Sequence, residues 1–461
     1  MRKNIAVILA GGIGERAGFS RPKQLVKLAG RPVIAHTLER FQNHDAIDEI
    51  AIVTNEQCEA EIADLVSAGR VTKVKRLLLG GKERHESSLA AIRAYEKEAL
   101  DTDIRLIFHD AVRPLVSEMI ITAVVSALDY YSAVDVAIAA TDTVLRADPD
   151  SNTICDVPDR REMRLGQTPQ AFHYDTIRRA YDIGLKDPNF RTTDDCGVVL
   201  KYLPGDKIYI VEGASDNLKL TYPQDLLIID KYLQTNAGRR VDAAPSSVAL
   251  SALKGKSIVI FGGSSGIGAS MARLAQAHGA RVAVASRSNG VDVNDYVAVA
   301  EFIAQQVKAV GSIDAVVVSA ARLIRVPLNN MSVDDIAVSV ATNYTGALYV
   351  AKAAFEHLAK SAGQLLYFSS SSYTYGRANY AAYSSSKAAI VNLTQALAEE
   401  WASAGVRVNC INPDRTGTPM RTMAFGAEPP ETLLHADDVA RRALMTLTTA
   451  HSGYIFDIKK T

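Results

Sequence analysis

A tyrosine and a lysine four residues apart form the clearest chemical pattern in the chain. Tyr383 and Lys387 lie in YFSSSSYTYGRANYAAYSSSKAA (residues 367–389), and at that spacing they share one face of a helix. Ser370 lies thirteen residues before Tyr383, after a strand-like run. A tyrosine whose pKa is lowered by a lysine cation and an oxidised cofactor can donate its proton to a carbonyl oxygen, while a serine hydroxyl binds the developing alkoxide. The pattern therefore predicts reduction of a ketone.

A glycine-rich turn, FGGSSGIG (residues 261–268), precedes this pattern and follows an apolar run. The backbone N–H groups of such a turn, at the start of a helix, can bind the diphosphate of a dinucleotide. Arg287 ends the next strand, where an NAD site would place an acid, and a cation there favours the 2′-phosphate of NADPH. A solvated arginine is the alternative. The turn residues expected to bind the cofactor are Gly262, Ser264, Gly266, Ile267 and Gly268.

The GxxxGxG spacing of this turn, together with Ser370, Tyr383, Lys387 and Asn343 of ATNYTG, resembles the short-chain dehydrogenase/reductase family from about Lys254 onward. The resemblance implies that Lys387 also binds the nicotinamide ribose and that Asn343 holds a proton-relay water.

Two segments depart from the pattern of that family. VSAA (residues 318–321) replaces the usual NNAG, and NPDRTGTPM (residues 412–420) replaces the usual PG. Thr416 or Thr418 can still reach the carboxamide of the cofactor. Arg415 is a candidate for binding a substrate phosphate, and the alternative candidates are Arg322, Arg325 and Arg377.

A second glycine-rich turn, LAGGIGERAG (residues 9–18), follows the apolar run 5–9 and precedes PKQ (residues 22–24). Glycines let backbone approach phosphate closely, and the nearby cations can neutralise a triphosphate. We therefore expect this loop to bind a nucleoside triphosphate. Its contacts would come from backbone at Ala10, Gly11, Gly12 and Gly14 and from the side chains of Arg16 and Lys23.

Two acids downstream could hold a hard cation such as Mg²⁺ through oxygen ligands. Asp110 in HDAVRP ends a buried strand, where open α/β sheets bind their ligands, and Asp216 lies in DNLKLTYPQDL near the cation Lys219. The alternative for each acid is a helix cap or a surface charge. GGKERHESS (residues 80–88) adds small residues and hydroxyls beside a basic pair.

These motifs, with LGQTPQAF (residues 165–172) and TDD (residues 193–195), resemble the sugar-phosphate cytidylyltransferases that act on methylerythritol 4-phosphate and ribitol 5-phosphate. The resemblance covers residues 3 to about 233. It implies that a substrate phosphate attacks the α-phosphorus of CTP, which needs charge neutralisation rather than a general base. It assigns catalysis to Arg16, Lys23 and Lys219, Mg²⁺ to Asp110 and Asp216, and further substrate contacts to Gly81, Ser88 and Arg113.

The same resemblance implies a projecting arm, near residues 142–165, that exchanges between subunits and completes the acceptor site. Thr143 and Arg160 are its candidate acceptor contacts. The alternative is a surface loop with ordinary charges. A homodimer or homotetramer is expected by analogy only.

The elements that must position these residues alternate along the chain, since β-branched runs and helical stretches follow one another through both halves. This alternation predicts an α/β protein with two Rossmann-like domains and mostly parallel sheets. The order is nucleotidyltransferase type, then short-chain dehydrogenase type. We expect a cytidylyltransferase domain at 1–235, a linker at 236–253 and a reductase domain at 254–461.

The composition bears on the classes of partner that we expect. The 51 basic and 51 acidic residues cancel, which gives no support to nucleic acid or a membrane surface as the main partner. We find no signal peptide and no apolar run of transmembrane length. The four cysteines lack metal-binding spacing and are typical of reduced thiols in a cytoplasmic protein.

The two activities are most economically paired if the reductase makes the acceptor that the transferase uses. Reducing ribulose 5-phosphate with NADPH gives ribitol 5-phosphate, which with CTP gives CDP-ribitol and pyrophosphate. The chain thus resembles the bifunctional ribulose 5-phosphate reductase/CDP-ribitol pyrophosphorylases of bacterial capsule synthesis. The alternative is a methylerythritol phosphate cytidylyltransferase joined to an unrelated or inactive NADP-binding domain.

Overall fold

The fold is that of a computed structural model, which describes residues 2–12, 21–68, 71–243 and 246–460. Two predicted site residues, Gly14 and Arg16, lie outside these ranges. The chain divides into two compact units, Met1–Tyr232 and Leu233–Thr461.

The first unit is built on an eight-stranded sheet with the order β10-β7-β11-β6-β1-β4-β5, in which β12 also pairs with β7. β1 pairs in parallel with β4 and β6, whereas β10 and β11 run antiparallel to their neighbours. The strands of this unit are β1 (Arg2–Leu9), β2 (Lys27–Leu28), β3 (Arg31–Pro32), β4 (Glu49–Thr54), β5 (Val74–Leu79), β6 (Asp103–Asp110), β7 (Ala133–Ala139), β8 (Arg146–Ala147), β9 (Ile154–Asp156), β10 (Arg164–Gly166), β11 (Gln170–His173) and β12 (Ile208–Glu212).

Helices cover both faces of this sheet, so its central strands are buried on both sides. Alternate residues of β1 therefore enter different cores, Ile5 and Val7 on one face and Ala6 and Ile8 on the other. The helices are α1 (Val33–Gln42), α2 (Glu56–Ala68), α3 (Arg84–Ala94), α4 (Glu118–Ala127), α5 (Tyr174–Gly184), α6 (Asp195–Tyr202) and α7 (Asp225–Ala243), which contains the boundary between the units.

The second unit has a six-stranded, fully parallel sheet with the order β14-β13-β15-β16-β17-β18. Its strands are β13 (Ser257–Phe261), β14 (Arg281–Ala285), β15 (Ala315–Val318), β16 (Gln364–Phe368), β17 (Arg407–Pro413) and β18 (Ile455–Ile458). The strand order reverses at β13, and open sheets bind ligands outside the carboxyl ends of strands at such a point.

The helices of the second unit are α8 (Ser246–Ser251), α9 (Gly266–Ala277), α10 (Tyr296–Val310), α11 (Val333–Val340), α12 (Gly346–Ser361), α13 (Ala381–Glu400), α14 (Pro419–Phe425) and α15 (Ala436–Thr446). A π-helical turn, Ala341–Thr345, joins α11 to α12. The predicted fold class, α/β with two mostly parallel sheets, is confirmed.

The predicted linker coincides largely with helix, since 236–243 continue α7 and 246–251 form α8. The proposed boundaries at 235 and 254 remain a prediction. Within the described parts of the chain, no helix is both long enough and apolar enough to cross a membrane.

Candidate active sites

Side chains from later motifs hold the N-terminal glycine turn in place. Gln24 Nε2 donates to the carbonyl of Ala10 at 2.7 Å, and Asn55 Nδ2 donates to the carbonyl of Gly11 at 2.9 Å. A Cβ atom added to Gly12 would lie 3.9 Å from Cε of Lys23, so the predicted catalytic lysine lies beside the turn. The PKQ motif therefore supplies both a cation and an anchor, and the anchoring role of Gln24 was not foreseen.

Ser87 contacts the same turn from the start of α3. A Cβ atom on Gly11 would lie 3.2 Å from Ser87 Oγ, and one on Gly80 would collide with that hydroxyl. Ser88, the residue named from the sequence, is fully buried. Its contact with substrate stays a prediction, but Ser87 is better placed. The spacing GGxxRxxS, counted from Gly80, ends on Ser87 and is the signal that could have found it.

Asp110 gathers three cations at the carboxyl end of β6. Its Oδ2 lies 3.0 Å from Nζ of Lys219 and 3.4 Å from Nε of Arg113. Burial raises the pKa of Asp110, but the charges of Lys219, Arg84 and Arg113 outweigh burial and hold the pKa well below its usual value. The structure thus brings the side chains of Arg113 and Lys219 next to the ionised carboxylate of Asp110.

Arg84 belongs to this site although the sequence did not single it out. Its Nη1 lies 2.6 Å from Oδ2 of Asp195, a residue with no exposed surface. The hydroxyl of Tyr181 donates to the other carboxylate oxygen at 2.7 Å, and the backbone N–H of Asp195 donates to Gln170 at 3.2 Å. The GGxxRxxS and TDD motifs therefore meet in one network behind Asp110.

The carboxylates of this site could hold Mg²⁺ only together with substrate phosphates and water. Among the described residues, no group of three or more His, Cys, Asp or Glu side chains is gathered as a metal centre. Mg²⁺ is commonly held by one or two carboxylates and completed by substrate phosphates and water. Asp110 is an ionised carboxylate suited to that arrangement, and Asp216 lies next to Asn217, whose carbonyl accepts from Arg113 Nη1 at 2.7 Å.

The predicted arm is an exposed segment in which β8 and β9 pair antiparallel. Thr143 is exposed, and Arg160 Nη1 donates to the carbonyl of Thr141 at 2.9 Å. Ile154 and Val157 expose 61 % and 55 % of their surface, which is unusual for large apolar side chains in one segment. In the described residues, no hydrogen bond or ion pair joins Thr143 or Arg160 to Asp110 or Lys219 of the same chain; since the arm is predicted to complete the site of a partner subunit, their acceptor contacts stay a prediction.

In the second unit, the glycine turn packs against the end of β15. Gly262 has φ +84° and Gly266 has φ +56°, values that other residues rarely adopt. A Cβ atom on Gly262 would come within 2.6 Å of Ala320 Cα, and Ser319 Oγ donates to the carbonyls of Phe261 and Gly262 at 3.0 and 3.2 Å. Ser319 of VSAA therefore holds the turn through its hydroxyl.

A cleft of about 940 Å³ opens above this turn at the carboxyl ends of the strands. That volume suits a large organic ligand. Ser264 and Ile267 of the turn, Arg287 and Thr416 all line it. Thr416 is buried and donates to the carbonyl of Asp414 at 2.8 Å, while Arg287 is exposed at the end of β14. A bound dinucleotide fits these walls, since the close-packed glycines leave room for backbone to approach a diphosphate.

Ser370, Tyr383 and Lys387 line the same cleft. Lys387 Nζ lies 5.6 Å from the centre of the Tyr383 ring and donates to the carbonyl of Phe368 at 2.8 Å. Burial raises the pKa of Tyr383 to about 12, although a hydrogen bond with Ser370 lowers it, and burial lowers the pKa of Lys387 to about 8. In the protein without cofactor, desolvation therefore dominates the pKa of Tyr383, and the lowering expected from Lys387 together with an oxidised cofactor stays a prediction.

Asn343 lies in the π-helical turn and is buried. Its Oδ1 accepts from the backbone N–H of Arg322 at 2.8 Å, and its Nδ2 donates to the carbonyl of the same residue at 2.8 Å. Both amide atoms thus hold the chain that follows β15. Its role with a relay water stays a prediction.

Comparison with known proteins matches both units to families. Residues 4–235 match the family described as 2-C-methyl-D-erythritol 4-phosphate cytidylyltransferase, and residues 288–428 match short chain dehydrogenase. A protein of Thermobifida fusca named 2-C-methyl-D-erythritol 4-phosphate cytidylyltransferase is 42 % identical over 237 residues, which are 51 % of this chain and 94 % of that protein.

A protein of Haemophilus influenzae is similar along the whole chain. It is named bifunctional ribulose 5-phosphate reductase/CDP-ribitol pyrophosphorylase Bcs1 and is 45 % identical over 456 residues, covering 99 % of this chain and 96 % of that protein. This similarity spans both units and both clusters of candidate catalytic residues. The chain therefore belongs to the family of bifunctional ribulose 5-phosphate reductase/CDP-ribitol pyrophosphorylases.

Proposed function

We propose that this enzyme reduces D-ribulose 5-phosphate to D-ribitol 5-phosphate with NADPH and then transfers CMP from CTP to that product. The products are CDP-ribitol and pyrophosphate, for synthesis of a capsule or another cell-surface polysaccharide. The observation that carries the proposal is the 45 % identity along 99 % of the chain to the bifunctional protein of Haemophilus influenzae. Two separate sets of candidate catalytic residues, one in each unit, support it.

In the reductase, Tyr383 gives its proton to the ketone oxygen. Its raised pKa keeps the hydroxyl protonated at neutral pH, as an acid for carbonyl reduction must be. Ser370, hydrogen-bonded to Tyr383, orients the carbonyl and binds the developing alkoxide. NADPH would supply hydride when bound, and we assign binding of its ribose to Lys387, which lines the same cleft.

In the transferase, an oxygen of the ribitol phosphate attacks the α-phosphorus of CTP, and the bond to the pyrophosphate breaks. Lys23 and Lys219 neutralise the charge that gathers on the α-phosphate, and we assign the same role to Arg16. Asp110 keeps Lys219 in position by their ion pair at 3.0 Å. Asp110 and Asp216 are the residues that would hold Mg²⁺, which screens the triphosphate charge when bound.

We assign the remaining binding residues from their positions in the sequence and in the structure. We assign the CTP base and ribose to the first glycine turn, Gly81 and Ser87, with Ser88 the earlier candidate, and the acceptor phosphate to Arg113 with Thr143 and Arg160 of a partner subunit. We assign NADPH rather than NADH to the second turn because Arg287 can pair with a 2′-phosphate.

Several wider properties are also proposed. The exposed apolar residues of the arm support a homodimer or homotetramer, and we place the enzyme in the cytoplasm with small-molecule substrates, not nucleic acid or membrane. We propose a cytidylyltransferase domain at 1–235 and a reductase domain at 254–461, joined by residues 236–253.

The test is mass spectrometry of the products formed from ribulose 5-phosphate, NADPH and CTP. We expect CDP-ribitol and pyrophosphate, with ribitol 5-phosphate accumulating when CTP is left out. In a parallel reaction with CTP, methylerythritol 4-phosphate competes with ribitol 5-phosphate. Preferential use of methylerythritol 4-phosphate would favour the cytidylyltransferase named in the Thermobifida fusca relative and defeat the proposal.

A further inference from the structure

The cleft of the second unit contains more positive charge than cofactor binding and catalysis use. Nine charged side chains of the described residues line it, and six of them are cations. Arg287 and Lys387 already have roles with the cofactor. The other cations are Arg322, Arg377, Arg415 and Arg421, and the acids are Asp292, Asp414 and Glu428.

Two of these four arginines are held by carboxylates of the protein. Arg421 forms a two-bonded ion pair with Glu428, at 2.6 and 2.8 Å, and its guanidinium lies 4.5 Å from the centre of the Phe425 ring. Arg322 Nη2 lies 3.2 Å from Asp335 Oδ1. Their charges are therefore largely balanced before any substrate arrives.

Arg325, another candidate from the sequence, is occupied differently. Its guanidinium lies 4.9 Å from the centre of the Phe425 ring, and it is not among the described residues that line the cleft. It therefore packs on α14, and we do not assign it to the ligand.

Arg377 and Arg415 remain without a carboxylate at ion-pair distance in the described part of the chain. Both are exposed and both line the cleft. Arg377 lies in the segment between Ser370 and the start of α13. Arg415 follows β17 near the Arg421–Glu428 pair, since the pKa of Glu428 is lowered first by hydrogen bonds with Arg421 and further by the charge of Arg415.

We propose that Arg377 and Arg415 bind the phosphate of the sugar phosphate that the reductase acts on. The proposal rests on the proposed function. The ketone carbon must lie at Ser370 and Tyr383, so the phosphate at the other end of the carbon chain needs cations along the substrate side of the cleft. An unpaired guanidinium offers two parallel N–H donors that match a phosphate.

Two aromatic side chains, Tyr380 and Phe425, line the cleft beside Tyr383. The Tyr380 ring lies 6.3 Å from that of Tyr383 and 5.9 Å from that of Phe425. These rings carry no charge, and Arg421 beside Phe425 is already paired with Glu428, so the two unpaired arginines are the groups that separate a phosphorylated ketose from a free one. They act as specificity-determining residues.

The test compares ribulose 5-phosphate with unphosphorylated ribulose at saturating NADPH, in wild type, R377Q, R415Q and the double variant. Each single change should lower kcat/KM for ribulose 5-phosphate by about 10- to 100-fold, the effect of one charged hydrogen-bonding pair. Turnover of ribulose should stay unchanged, so the preference for the phosphate ester falls by the same factor. R377K and R415K keep the charge but lose the bidentate geometry. Their kcat/KM for ribulose 5-phosphate should lie between that of wild type and that of the glutamine variants.

Controls separate the ways in which the proposal can fail. R441Q removes a surface arginine paired with Asp438 and should behave as wild type, and NADPH binding measured by fluorescence reports that each variant is folded. If R377Q and R415Q keep the preference for the phosphate ester, or weaken NADPH binding by the same factor, the inference is wrong while the proposed function stands. If wild type does not reduce ribulose 5-phosphate, the proposed function itself fails.

Discussion

The Nζ atom of Lys219 lies 3.0 Å from Oδ2 of Asp110, joining two motifs that are far apart in the sequence. The ion pair links the loop before α7 to the carboxyl end of β6. Asp110 is buried, so the pair restrains Lys219, although 39 % of the lysine side chain is exposed. The lysine can thus meet a triphosphate without first being ordered.

K219A should therefore abolish most CDP-ribitol formation and leave reduction of ribulose 5-phosphate intact. Losing one preorganised charge at a transition state costs about 10²–10³ in kcat. The measurement is CDP-ribitol release by chromatography beside NADPH oxidation in the same preparation. K186A, which removes an exposed lysine of the same unit, is the matched control. Loss of both activities in K219A would contradict independent sites.

In contrast to K219A, Y383F should impair the reductase and leave the transferase active. Without its hydroxyl, the ring cannot give a proton to the ketone, and reduction should fall about 10²–10⁴-fold. CTP-dependent turnover of added ribitol 5-phosphate should not change. Y375F alters an exposed tyrosine of the neighbouring loop and serves as the control. NADPH oxidation by Y383F at the wild-type rate would rule out Tyr383 as the acid.

Lys387 should make stability depend on pH between about 8 and 10. Its pKa is lowered by burial from 10.5 to about 8, so above pH 8 the folded protein binds fewer protons than the unfolded chain. Stability contributed by this site therefore rises with pH through that window, by roughly 3 kcal/mol at most. Above pH 10 the raised pKa of Tyr383 has the opposite effect.

The measurement for Lys387 is thermal unfolding of wild type and K387M from pH 7 to pH 10. Because the other groups titrate in both proteins, the difference between them isolates Lys387. As pH rises, the Tm of wild type minus that of K387M should increase. If the Tm of wild type minus that of K387M stays constant with pH, Lys387 titrates near its usual pKa in the folded protein, and if it falls, the pKa is raised; either outcome contradicts the prediction.

D195N should weaken the transferase although Asp195 does not face solvent. The change removes the charge that pairs with Arg84 at 2.6 Å and leaves that arginine free to bind Asp110 instead. We expect a loss of about 1–3 kcal/mol in unfolding free energy and at least a roughly tenfold fall in CDP-ribitol formation. D182N breaks the exposed pair with Arg178 and should cost less than about 1 kcal/mol. Wild-type transferase kinetics in D195N would show that the network is only structural.

The sequence by itself determined the elements and the motif residues that they carry. The predicted alternation of strands and helices is observed, as at β14 and β15, because runs of β-branched residues between helical stretches specify the strands of a parallel sheet. Motifs that end strands had to meet at one sheet edge. For that reason Asp110 and Ser370 could be named in advance, whereas Tyr383 and Lys387 were named from their spacing and Lys219 from the family resemblance.

Only the tertiary structure decided which side chain meets which. The choice of Ser87 over Ser88 at the first turn depends on how α3 packs, and the Arg84–Asp195 pair joins residues 111 positions apart. The two amide atoms of Asn343 are engaged by Arg322, which no spacing reveals. The direction of the Tyr383 pKa shift also depends on packing, since burial and a neighbouring cation act in opposite directions and only the folded structure shows which is larger.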